Sequence, residues 1–236
     1  PCSNAVKDHM EQEGFPPDKM TVVYNPVDTP RYKREESVRE EIRGKYGVPQ
    51  STKIILGAGR FVDWKGFEFL IEAYARLVNE YKMPYDTRLW LVGDGQEMKK
   101  YKDLSDKLQI TDKVEFHGFA KDIRPWLWSA DIFVQPSQLP EGFSLMLLEA
   151  MSAGLPAIAT NIGGTIDIIR DGDNGWFMKT GSENGLAEKL FDIVGDERLL
   201  LSVGLKAMES ASEFNVKKIA AETIALYQTI LRGAKK

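Results

Sequence analysis

Cysteine is nearly absent from this chain: the single Cys2 rules out an internal disulfide and leaves no thiolate cluster for zinc. Histidine is as scarce, with only His9 and His117, so imidazole coordination of a metal has little to draw on. No apolar run approaches the length needed to span a bilayer. No internal repeat or low-complexity tract interrupts the chain. A net charge of -4 has the wrong sign for broad nucleic-acid binding, so any phosphate site must be a local concentration of cations. The chain opens P-C-S-N-A-V-K-D-H-M, without initiator methionine, charged leader or secretory apolar segment, and reads as cut from something longer. With 43% apolar and 28% charged residues it fits a globular, cytoplasmic protein.

Short apolar runs alternate with amphipathic stretches. Strands are expected at residues 20–24, 53–58, 88–92, 113–117, 131–135, 156–160 and 175–178. Helices are expected at residues 5–14, 65–82, 96–109, 122–129, 183–194, 197–211 and 215–231. Residues 31–45 are dense in charge of both signs, the pattern of a solvated helix face. Continuous apolar strands, each followed by a helix, imply an α/β, Rossmann-like, doubly wound parallel sheet covered on both faces. Ligands bind such sheets at the carboxyl ends of the strands. Here those ends are the glycine-bearing stretches 57–66, 93–96, 117–122, 137–144 and 161–165.

The stretch S-Q-L-P-E-G-F-S-L-M-L-L-E-A-M-S-A-G-L-P-A-I-A-T, residues 137–160, combines a polar turn, a helix and a buried strand. It carries Glu141 before the helix and Glu149 on it, with seven residues between them. A helix starting near Phe143 rises about 9 Å to Glu149. Its unpaired N–H groups at Phe143, Ser144 and Leu145 suit a phosphate. Glu149 suits a ribose diol, and Glu141 the hydroxyls of a group beyond the phosphates. Ribose, diphosphate and polyol in that order make a nucleotide-sugar. The stretch G-A-G-R-F-V-D-W-K-G lacks the G-x-G-x-x-G spacing of a dinucleotide fold but offers Arg60 and Lys65, two cations able to neutralise a diphosphate. Asp171-Gly172-Asp173 spells a D-x-D, yet among Arg170, Asn174 and Gly175 it reads as a tight turn. Trp126 and Trp128, on a short helix beside Pro125, read as packing.

The sequence E-G-F-S-L-M-L-L-E-A-M-S-A-G-L-P resembles the E-x7-E element of family 4 retaining glycosyltransferases of the GT-B fold. G-R-F-V-D-W-K-G resembles the family's G-R-x-x-x-x-K-G element, and N-P-V-D at residues 25–28 the phrase that leads from its N-terminal into its C-terminal domain. The resemblance implies the donor-binding, C-terminal half of such an enzyme. Residues 1–24 would be the end of the N-terminal domain, 25–52 a linker and leading helix, 53–213 the nucleotide-sugar-binding domain, and 214–236 a helix crossing back. Arg60, Lys65 and Glu141 would form the catalytic set, the two cations gripping the diphosphate and Glu141 orienting the sugar. Gly59, Gly142, Phe143, Ser144, Leu145 and Glu149 would bind the donor, with Gly93, Gly95, His117 and Gly118 around the base and Gly163 and Gly164 near the sugar and diphosphate. The implied donor is a hexose on UDP or GDP, used without a metal. The acceptor, a glycan or lipid-linked molecule, would enter through the missing half, so the chain alone would transfer nothing. The full-length protein would sit in the cytoplasm, peripherally at the inner face of the membrane. An epimerase of related fold and a non-catalytic nucleotide-sugar-binding module remain as alternatives.

Overall fold

The computed structural model describes residues 1–233. The chain starts with α1 (Asn4–Gln12), capped by the Ser3 hydroxyl, which accepts from the Val6 amide at 3.1 Å. Residues 20–24, expected as a strand, join no sheet. The Val23 amide donates to the Pro1 carbonyl at 3.0 Å and not to a strand of the sheet.

The charged run forms α2 (Glu36–Lys45), but two of its cations are buried, which corrects the expectation of a solvated face. Arg39 donates to the carbonyls of Trp128, Ser129 and Ala130 at 2.8–3.2 Å, and Arg43 to those of Ser129, Pro49, Gln50 and Thr52 at 2.9–3.3 Å. Both also pair with Asp131, at 2.8 and 2.6 Å. Several of these carbonyls end a helix, where negative partial charge and free acceptors collect. Charge alternation along a sequence cannot reveal such acceptors, because they come from a segment some ninety residues away.

Alternating strands and helices follow: β1 (Lys53–Ala58), α3 (Phe67–Glu80), β2 (Thr87–Val92), α4 (Met98–Lys107), β3 (Val114–Gly118), α5 (Arg124–Ser129) and β4 (Ile132–Gln135). Next come α6 (Leu145–Ser152), β5 (Ala157–Thr160), β6 (Trp176–Met178), α7 (Glu183–Ile193), α8 (Glu197–Ser212) and α9 (Val216–Gly233). The strands form one six-stranded sheet, wholly parallel, in the order β3-β2-β1-β4-β5-β6. Its strand order reverses between β1 and β4, and a crevice opens at such a reversal.

Side-chain alternation divides the core between the two faces. Ile55, Leu89, Leu91, Ile132, Val134 and Ile158 point to one side, against Leu70, Tyr74 and Leu77 of α3 and Leu186 and Leu190 of α7. Ile54, Leu56, Trp90, Phe133, Ala157 and Ala159 point to the other, against Leu147, Leu148 and Met151 of α6 and Trp128 of α5. Each fully buried leucine or phenylalanine stabilises the fold by about 1.5–3 kcal/mol. On α9, Ile219 is buried whereas Ile224, Tyr227, Ile230 and Leu231 are exposed. Residues 234–236 of that last segment lie outside the described residues. Among the described residues no helix is long and apolar enough to cross a membrane.

Candidate functional site

Two loops meet at the strand reversal: residues 59–66 after β1 and 136–144 after β4. They interlock through the Gln138 amide, which donates to the Trp64 carbonyl at 2.8 Å. The loops after β1, β2 and β3 close around one another in the same way. Gly59 donates to Val92 at 3.0 Å and Gly93 to Gly118 at 2.8 Å. A Cβ on Gly93, whose φ is +148°, would lie 1.8 Å from the Gly59 carbonyl oxygen, so backbone contact alone demands glycine there. Gly95 and Gly118 complete this edge.

Lys65 ends the 3-10 turn Asp63–Lys65, and its amine lies 2.6 Å from Glu141 Oε2. Both side chains are largely buried, at 16% and 14% exposure, so this contact is shielded more than a surface ion pair would be. The other oxygen, Oε1, accepts from the Ser137 hydroxyl at 2.5 Å and from Gln135 Nε2 at 3.3 Å. The two groups expected to grip different parts of one ligand thus hold each other. Arg60 lies in the same loop, exposed, and among the described residues its guanidinium has no carboxylate partner.

The helix behind these loops begins later than expected. Ser144, extended at φ -85° and ψ 106°, is the N-cap of α6, and its hydroxyl accepts from the Leu147 amide at 3.3 Å. The axial rise from Leu145 to Glu149 is therefore about 6 Å rather than 9. Within the described residues the amides of Phe143, Ser144, Leu145 and Met146 have no acceptor, which leaves the tip open to an anion. The Phe143 ring packs at 5.2 Å on Tyr24 and 5.3 Å on Phe214, so only its backbone is available to the site.

Glu149 is half-buried beside the Tyr32 hydroxyl. Burial holds its carboxyl above the usual range, Tyr32 and Arg31 pull it back, and Asp122 pushes it up. Gly163 and Gly164 press directly on the Glu141 loop. A Cβ on Gly164 would lie 2.2 Å from the Gly142 carbonyl oxygen, and one on Gly163 2.5 Å from that of Glu141. The Gly164 amide donates to Glu141 O at 2.8 Å. These glycines therefore set the position of the glutamate's backbone.

His117 lies one residue before the end of β3. Its ring sits among Tyr46, Trp90 and Trp126 with centroids 4.2–4.9 Å away. Burial, then Lys45, pushes its imidazole down to about 4, so it is neutral at pH 7 and forms no ion pair with Glu115, 3.9 Å away. Its Nε2 is buried without a hydrogen-bond partner. Asp171 and Asp173 occupy a turn: Asp171 accepts from the Phe177 amide at 2.8 Å, and Asp173 pairs with Arg170 and Lys206.

Lys65, Glu141 and the open tip of α6 thus lie together at one sheet edge, with Arg60 exposed on the same loop as Lys65. Residues 38–209 match the family described as glycosyl transferases group 1, which is well over half of the chain. The chain belongs to the group 1 glycosyl transferases. The chain is 32% identical over 221 residues to N-acetyl-alpha-D-glucosaminyl L-malate synthase of Bacillus anthracis, covering 93% of this chain and 56% of that protein. It is 36% identical over 157 residues to the lipopolysaccharide core biosynthesis glycosyltransferase LpsE of Rhizobium meliloti (strain 1021), covering 66% of this chain and 44% of that one. It thus spans about half the length of these relatives. Its fold superposes on the crystal structure of Anabaena Alr3699/HepE in complex with UDP, with a TM-score of 0.90 at 26% identity, over 97% of this chain and 62% of that one. The same neighbour is known in complex with UDP-glucose. The Rossmann-like, doubly wound sheet expected from the sequence is the fold of this GT-B-type domain.

Sequence reasoning missed three side chains that touch the candidate residues: Gln135 and Ser137 beside Glu141, and Tyr32 beside Glu149. Gln135 left a trace, being a polar residue that closes the apolar strand I-F-V-Q at the ligand edge. Tyr32 left none, because its proximity to Glu149 comes from the packing of the 3-10 turn Thr29–Tyr32 on α6.

Proposed function

We propose that the chain is the donor-binding half of a retaining, metal-independent family 4 glycosyltransferase that uses a hexose carried on UDP or GDP. The observation that carries this reading is the convergence of Lys65, Glu141 and the tip of α6 at the strand reversal. A diphosphate drawn to the open amides of Phe143 to Met146 competes with Glu141 for the Lys65 amine, and Arg60 adds the second cation. Glu149 accepts from the ribose hydroxyls, and Glu141 meets the sugar. The bond from the anomeric carbon to the diphosphate oxygen breaks while a bond to the acceptor oxygen forms, and the acceptor proton leaves with the diphosphate. Lys65, Arg60 and the helix tip stabilise the charge that builds on the leaving group. The complexes of HepE with UDP and with UDP-glucose support a nucleotide-sugar donor. Retention of configuration and the dispensability of a metal rest on the motif resemblance.

In this reading the acceptor, a glycan or lipid-linked molecule, is bound by the other half of the full-length enzyme, which associates peripherally with the inner face of the membrane. The chain alone binds donor and transfers nothing. Residues 1–24 belong to the end of the acceptor domain. In support, α1 packs against the donor-site loops: the Asn4 amide donates to Asp167 at 2.6 Å, and a cavity of about 510 Å³ separates Asp8 and His9 from Pro140 and Gly142. Family membership argues against the epimerase and the bare binding module. A thermal-shift panel tests the reading. UDP or GDP is expected to raise the melting temperature in the presence of EDTA. Stabilisation only by NAD would refute the donor class, and stabilisation only with added divalent metal would refute metal independence.

A further inference from the structure

Gln135 ends β4 with 5% exposure, in a position where its strand neighbours Ile132, Phe133 and Val134 are apolar. A buried amide costs stability unless both of its ends are hydrogen-bonded. Both are: Nε2 donates to Glu141 Oε1 at 3.3 Å, and Oε1 accepts from the Ser144 hydroxyl at 2.6 Å. We propose that Gln135 is a positioning residue serving both halves of the donor site, its amide tying the sugar-facing carboxylate of Glu141 to the phosphate-facing N-cap of α6. The inference rests on the donor-site reading above.

The coupling follows from which groups can donate. Glu141, ion-paired with Lys65, only accepts, so the amide must turn its NH2 toward it. The amide oxygen then faces Ser144 and takes the proton of that hydroxyl. This leaves the lone pairs of the hydroxyl aimed at the Leu147 amide, the geometry that an N-cap requires. One negative charge at the sugar end thereby fixes the hydroxyl rotor at the phosphate end. An apolar side chain at Gln135 would leave Glu141 Oε1 with Ser137 alone and free Ser144 to turn its proton onto the helix tip.

The test is isothermal titration of this chain with UDP and with UDP-glucose, or with GDP and GDP-mannose should the nucleotide panel select guanosine. For Gln135→Met, of similar volume, the nucleotide is expected to weaken about threefold and the sugar nucleotide about thirtyfold, so that the ratio of their affinities shifts about tenfold. In a Glu141→Ala background the same substitution should move that ratio by less than about twofold, since the group it positions is gone. Ser144→Ala, which touches no sugar, should shift the ratio in the same direction and carries the test if Gln135→Met fails to fold. Equal weakening of both ligands, or full additivity with Glu141→Ala, would show Gln135 to be structural only and overturn the proposal while leaving the donor site intact. Failure of the unsubstituted chain to bind any nucleoside diphosphate would overturn the donor-site reading itself.

Discussion

Glu149→Gln separates binding from stability at one position. The Glu149 carboxylate is half-buried, and desolvation raises its pKa above that of an ordinary glutamate. With the folded value above the unfolded one, the native state holds the proton more tightly. The ionised side chain therefore costs stability, and that cost grows as pH rises through the interval between the two values. Glutamine removes the charge, keeps one acceptor oxygen, and leaves the Tyr32 hydroxyl a partner. At pH 7 the variant should be as stable as the unsubstituted chain or more so. Donor binding should move the opposite way, because a neutral amide replaces a charge-assisted acceptor for the ribose. Losing such a contact costs about 1.5–3 kcal/mol, a ten- to 150-fold rise in Kd. Urea unfolding at pH 7 reads the stability part, and titration calorimetry with UDP-glucose at several pH values reads the binding part. Affinity of the unsubstituted chain should fall on acidification, starting at a higher pH than an ordinary glutamate would give, and the variant should show a flatter profile. Equal Kd values for the two proteins at pH 7, or parallel pH profiles, would refute the assignment of Glu149 to the ribose.

Lys65→Met removes the cation opposite Glu141 and should weaken UDP binding by at least about tenfold, with a smaller salt dependence of Kd measured by titration between low and moderate ionic strength. Gly164→Ala drives a methyl group into the Gly142 carbonyl 2.2 Å away, so thermal melting should show destabilisation together with loss of UDP-glucose binding. Arg43→Ala leaves Asp131 and several carbonyls short of donors far from the donor loops; urea unfolding should report a loss of about 3–5 kcal/mol, with donor Kd unchanged where the variant is folded. His117, pushed down to about 4, binds fewer protons folded than unfolded between that value and its ordinary one. Stability should therefore fall as pH drops through that window, and His117→Phe should flatten the fall in urea titrations at pH 7 and pH 5.

The periodicity of apolar residues was enough to locate most strands and helices within a few residues, because a parallel sheet buried on both faces needs continuous apolar runs such as I-F-V at residues 132–134. Residue type and motif spacing singled out Lys65, Glu141 and Glu149 as candidates, but they misplaced the helix start, which falls at Leu145 with Glu141 in the loop before it. Three features depended on segments remote in sequence. Residues 20–24 have strand-like composition but, among the described residues, pair with no strand of the sheet. Arg39 and Arg43 look like surface charge until the end of α5 supplies their acceptors. The lysine and the glutamate, 76 positions apart, become partners only because the order of strands reverses between β1 and β4. Local pattern records what each residue can do; which groups meet, and which are shielded from water when they do, is decided by the packing that closes the sheet.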